Sequence, residues 1–274
     1  MRLGIFAKTF PGDEPGAVLA AVREAGYACA QFNMACAGLP AMPDGVTDDV
    51  IAVIAAARQA SGVSLAALSG TYNMIHPDPA ERARGMKRLG VVIAAAARLG
   101  IPMVTLCTGT RDPLDMWRRH ADNATPEAWS NLLAAMEEAA ALADAAGVDL
   151  GIEPEQANVV VTADDALRLL RAIGSPRLRI VLDPANLFET ATREEARRCL
   201  AMAIDRLAGH IGMAHAKDRH ADGRVVPAGQ GVVDLPDFIV RLRASGFAGA
   251  LVTHGLSAGE APGVAAFLSG LLRS

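Results

Sequence analysis

The chain has 274 residues, is 51% hydrophobic and carries a formal charge of only −4, which argues against a basic nucleic-acid-binding surface. Its four cysteines (Cys29, Cys36, Cys107, Cys199) form no Cys-x-x-Cys pair, so no zinc knuckle or redox pair is expected, and scattered thiols fit a reducing compartment. No stretch reaches the roughly 18 uninterrupted apolar residues of a membrane span, and the apolar start is too short for a signal peptide, so a cytoplasmic protein without nucleic-acid or membrane partners is expected.

Residues 3–7 read as a first strand and 15–25 as a first helix, with Asp13 and Glu14 suited to its positive end. A second strand is expected at 28–33, a helix at 48–60 capped by Thr47 or Asp48, and a third strand at 63–68. A polar loop from Ser69 to Pro79 precedes a helix over 80–99 and a fourth strand over 102–106. The longest loop follows, to about residue 124, carrying Arg111, Asp112, Trp117, Arg118, Arg119 and His120; loops of this length are usually lids or binding loops. Thr125-Pro126 opens a helix that Gly147 ends, and Thr162 to Asp165 reads as a capping-box variant.

Three apolar runs in the second half each stop on a side chain able to hold a divalent cation: Asp149 to Glu153, Ile180 to Asp183, and Ile211 to His215. A fourth, Gly249 to His254, ends the same way. Each is spaced about one strand–helix unit from the next, so parallel strands would carry all four side chains to one end of a sheet. Eight alternations over residues 1–274, with no break in composition, predict one domain folded as an α/β (β/α)8 TIM barrel. An open doubly wound sheet is disfavoured because no Gly-x-Gly-x-x-Gly turn follows the first strand.

Two carboxylates and two imidazoles (Glu153, Asp183, His215, His254) make a mixed nitrogen and oxygen donor set, suited to Mn²⁺, Zn²⁺, Co²⁺ or Fe²⁺ and also compatible with Mg²⁺. The bland alternative is that each acid is a helix cap or an ion-pair partner. His76 and His120 lie on loops at the reactive face, whereas His210 begins a strand and belongs at the opposite face. Arg111 could grip an anionic group or brace the long loop. Glu155 is a partner of Glu153 or a surface charge. Lys217 orients substrate or pairs with Asp218. Gly229-Gln230-Gly231 could cradle an anion or simply turn tightly before a helix.

These motifs carry a resemblance. Gly151-Ile152-Glu153-Pro154-Glu155, Leu182-Asp183-Pro184-Ala185-Asn186-Leu187 and Ala214-His215-Ala216-Lys217-Asp218, with residues 227–234 and 246–251, resemble the xylose isomerase-like TIM barrels of the sugar phosphate isomerase/epimerase group. The resemblance implies one divalent metal at the C-terminal mouth, held by Glu153, Asp183 and His215. His254 stands where the family usually has a second glutamate. It also implies a metal-dependent sugar isomerase or epimerase acting through an enediolate, with Glu153 as base and Lys217 beside it; His76, Arg111, Glu155 and Asn186 would contact a small sugar. A homo-oligomer is compatible with it. An inosose-type dehydratase is the alternative.

Two further readings fit less well. An abasic-site endonuclease would have a histidine at the position of Asn186 and a more basic surface. A non-catalytic sugar-binding barrel would carry the metal as a four-ligand clamp.

Overall fold

The computed structural model describes residues 1–273. Eight parallel strands, Arg2–Phe6 (β1), Cys29–Phe32 (β2), Ser64–Ser69 (β3), Met103–Cys107 (β4), Asp149–Glu153 (β5), Leu178–Leu182 (β6), Ile211–Ala216 (β7) and Ala250–Thr253 (β8), pair in sequence order, and β1 pairs β8 to close the barrel. Between and after them run eight helices: Pro15–Glu24 (α1), Asp48–Ser61 (α2), Pro79–Leu99 (α3), Pro126–Ala146 (α4), Ala163–Ile173 (α5), Arg193–Leu207 (α6), Leu235–Ala244 (α7) and Ala261–Arg273 (α8). This is the (β/α)8 architecture that the alternation predicts.

Local chemistry sets the helix ends. Thr47, Thr125, Thr162 and Thr192 each accept a hydrogen bond from a first-turn backbone N–H, and Thr162 and Thr192 complete reciprocal capping boxes with Asp165 and Glu195. Gly147 ends α4 in the left-handed region at φ 68°. One helix start differs from expectation by a residue: α3 begins at Pro79, because the Asp78 carboxylate caps Ala80 N–H. Before α8, the Ser257 N–H and hydroxyl donate to the Glu260 carboxylate and hold a turn.

One apolar cluster fills the space between strands and helices; a smaller one, including Cys29, Met103, Val181, Met213 and Val252, plugs the barrel. Gly151 makes that plug possible. A Cβ there would stand 2.7 Å from both Met103 Sδ and Val181 Cγ2, so a glycine in β5 leaves the room that the Met103 side chain fills. With the lower barrel filled, the polar ends of β5–β8 face a cavity at its C-terminal mouth.

A short antiparallel ribbon, Asp218–Arg219 with Val225–Val226, follows β7 and was not anticipated. The Gly-rich turn beyond it does cradle an anion, and that anion is internal. The fully buried Asp218 carboxylate accepts from the backbone N–H groups of Arg219, Gly229, Gly231 and Val233 at 2.8–3.1 Å. No helix among the described residues is long and apolar enough to cross a membrane.

Candidate metal centre and active site

Glu153 ends β5, Asp183 follows β6, His215 lies near the end of β7 and His254 follows β8. Each offers one ligand atom, and the four atoms lie within 4.8 Å of one another. Parallel register brings this about: β4–β5 pairing aligns Glu153 with Cys107, and β7–β8 pairing sets His215 beside Val252. Asp183 is completely buried. Its Oδ1 accepts from Ala185 N–H at 2.8 Å, while Oδ2 meets Lys217 Nζ and His254 Nε2, each at 2.9 Å. The two imidazole rings meet edge to face, with centroids 4.5 Å apart.

The donor set passes a test of fit for a divalent ion. His215 Nδ1 is a buried polar atom without a hydrogen-bond partner, 3.4 Å from both Glu153 Oε1 and Asp183 Oδ2. A buried nitrogen is seldom left unpaired, and this one faces two carboxylates across a gap too long for a good hydrogen bond. Its other nitrogen, Nε2, donates to Gln31 Oε1 at 3.0 Å. The Gln31 amide is itself fixed, because its Nε2 donates to Ser69 Oγ and Thr105 Oγ1. In the neutral ring Nδ1 therefore presents a lone pair to the cluster, the arrangement of a metal-binding histidine held by an outer partner.

The charges are strongly perturbed. Burial acts to raise the Asp183 carboxyl, but Lys217 and the two histidines override it and hold it well below its ordinary range. Burial acts to lower His215, but the Glu153 and Asp183 carboxylates outweigh it and lift its pKa to about 9. His254 is lowered by burial and by the neighbouring His215. Glu155 is raised to about 7 by burial and by Glu153.

Lys217 and Asn186 form a relay to Glu153. Lys217 Nζ, which can only donate, meets Asn186 Oδ1 at 2.6 Å, so the amide must point its Nδ2 at Glu153 Oε1, 2.7 Å away. Lys217 pairs with Asp183, not with Asp218, whose carboxylate is filled by backbone donors.

Glu153, Asn186, His215, Lys217 and His254 line a cavity of about 450 Å³, with Glu155 in its wall. Trp117, expected on a lid or binding loop, lines it too, together with Phe6, Lys8, Gln31, Ser69 and Met116, which carry no comparable sequence signal. Trp117 arrives on the long loop, which is tied into shape by Asp112. That carboxylate accepts from Leu114 N–H, Asp115 N–H and the Arg118 guanidinium. Asn186, Glu155 and Lys217 are therefore at the cavity, whereas His76 and Arg111 are not among its lining residues. His76 Nε2 lies 3.2 Å from Pro113 O and its Nδ1 accepts from Asp78 N–H; Arg111 bonds Ile75 O and pairs with Glu127. Both brace the long loop against the β3 loop.

Comparison with known proteins agrees with this architecture. No curated protein matches the sequence. Among solved structures, the chain superposes on an apo 3-keto-D-glucoside 4-epimerase from E. coli with TM-score 0.77 at 17% identity, covering 100% of both chains. It superposes on an L-ribulose 3-epimerase with TM-score 0.77 at 22% identity, covering 99% of this chain and 94% of that one. A D-psicose 3-epimerase crystallised in the presence of D-fructose gives TM-score 0.77 at 18% identity, with both chains covered completely. At these identities the likeness establishes the fold. The family profile described as xylose isomerase-like TIM barrel matches residues 19–267, and the chain belongs to that family.

Proposed function

We propose that this protein is a divalent-metal-dependent isomerase or epimerase that moves a proton at the carbon beside the carbonyl of a keto-sugar. One observation carries the reading: Glu153, Asp183, His215 and His254 converge on a common point at a cavity of monosaccharide size. That the superposed structures are named as sugar epimerases supports the substrate class.

A divalent ion held by those four residues would act as a Lewis acid on a substrate carbonyl and acidify the adjacent C–H. The protein's part is proton handling and positioning. Asn186 holds Glu153 by Oε1 and leaves Oε2 to take the proton. Lys217 fixes the Asn186 amide in the orientation this requires. Glu155, whose carboxyl burial raises to about 7, can donate to a substrate oxygen when protonated. Trp117 and Met116, on the long loop, line the cavity and would limit water around a bound substrate.

Return of the proton by Glu153 to the neighbouring carbon gives isomerisation. Epimerisation needs a second proton carrier on the opposite face, and just after β8, where the family usually has a glutamate, this chain has His254. The pair is unequal, a carboxylate and an imidazole. For that reason dehydration is the second reading: Glu155, whose carboxyl burial raises to about 7, can protonate a departing β-hydroxyl.

The test is proton exchange. Keto-hexoses and keto-pentoses are incubated in D₂O with chelated enzyme and with enzyme restored by one ion, and the α-carbon is followed by NMR. Deuterium should enter only in the restored enzyme. Glu153→Gln should lower the exchange rate by about a thousandfold or more while the melting temperature holds. Exchange that ignores the chelator, or full activity in Glu153→Gln, refutes the proposal.

A further inference from the structure

A second cavity, of about 500 Å³, opens between the end of the long loop, the start of α4 and the loop after β5. It shares no lining residue with the barrel-mouth cavity. Its volume is within the roughly 300–1,000 Å³ of small-molecule sites.

Its lining is rich in idle donors and poor in idle acceptors. The Arg168 guanidinium lies 3.8 Å over the Trp129 ring, and no acceptor among the described residues engages it. Elsewhere in the protein surface arginines are paired, as Arg88 is with Asp44, Arg118 with Asp112, and Arg197 and Arg241 with Asp237. Stacking holds the Arg168 plane and leaves its N–H edge open. Arg119 reaches only Glu189, at 3.4 Å, with both side chains mostly in water. His120 Nδ1 accepts from Asp122 N–H, so in that tautomer Nε2 carries a hydrogen to donate. Most of the acceptors are engaged. Asp165 Oδ2 receives Val161 N–H, Thr162 N–H and the Thr162 hydroxyl, while its Oδ1 has no hydrogen-bond partner. Asn123 Oδ1 receives the Thr110 hydroxyl and Arg111 N–H, and Asn158 Oδ1 receives Gly109 N–H.

We propose that this cleft is a second ligand site, which binds a small oxyanion, a phosphate or carboxylate group, between Arg119 and Arg168 against the Trp129 ring. Guanidinium forks match both oxyanions.

The test is calorimetric titration of the whole protein with inorganic phosphate and, in a second arm, with succinate, at constant ionic strength. Saturable binding in at least one arm is expected, and the arm that binds identifies the group. Arg168→Gln or Arg119→Gln should weaken it about tenfold, the loss of one charge-assisted contact. Both side chains are exposed, so the fold should be kept; far-UV circular dichroism checks this. The chain has two tryptophans, so in Trp117→Phe only Trp129 emits, and its emission should change in step with the heat. No saturable binding in either arm overturns the proposal. So does binding that survives the Arg119→Gln/Arg168→Gln double variant, or that leaves Trp129 emission unmoved.

Discussion

Replacing Gln31 by leucine should weaken metal binding without touching any of the four proposed ligands. Gln31 sits in β2, 8% exposed, with its amide committed on both sides: Nε2 to Ser69 and Thr105, Oε1 to His215 Nε2. The bond to His215 keeps the ring hydrogen on Nε2 and the lone pair on Nδ1, which faces Glu153 and Asp183. Leucine removes the acceptor and leaves a buried N–H unpaired, at about 1–3 kcal/mol. The ring is then free to rotate or change tautomer. Loss of such an outer partner typically costs about 10–100-fold in metal affinity, or roughly 1.4–2.7 kcal/mol. Competition against a chromophoric chelator measures the affinity directly. Gln31→Glu is the control: it keeps an acceptor in place and adds charge, so affinity should hold or rise. If Gln31→Leu binds the ion as tightly as the parent protein, His215 is not held in this way and the assignment of Nδ1 as the ligand atom fails.

Other outcomes follow from the same geometry. Asp218→Asn puts an amide N–H₂ against N–H donors that a carboxylate now receives, and should cost about 2–4 kcal/mol; a denaturation midpoint within error of the parent refutes this. Gly151→Ala should cost about 1–3 kcal/mol through overpacking, and Met103→Ala in the same chain should recover part of it by vacating the space; additive losses would count against the close approach. In metal-free protein the His215 pKa is raised, to about 9, above an unfolded value near 6.5. Its contribution to stability is therefore complete below about pH 6.5 and fades as pH rises through 9. The urea midpoint should fall over that interval, and the fall should be absent in His215→Asn. A flat profile in the parent would refute it.

The strand–helix alternation and the four strand-end side chains were legible because both are local. An apolar run that stops on Glu153 or Asp183 is visible in five residues, and a parallel strand fixes which end that residue occupies. Gln31 was not legible. It stands inside an apolar strand, and only ring closure carries β2 across the barrel from β7. Lys8 and Ser69 were missed for the same reason, being ordinary polar residues at strand ends. His76 and Arg111 show the converse: each is on a loop at the expected face, yet each is used by a backbone carbonyl or an acid that sequence order does not reveal. The Gly-rich turn gave the correct chemistry with an unexpected partner, since Asp218 lies only eleven residues before Gly229.

The contact between Gln31 and His215 spans 184 residues. A ligand shell oriented through such a contact is incomplete in any partly folded chain. An emerging chain could present Glu153 and Asp183 long before β8 exists, but the imidazole would stay untethered until the first and last thirds had joined. If the four residues bind an ion as proposed, finished molecules would hold it firmly and unfinished ones only loosely.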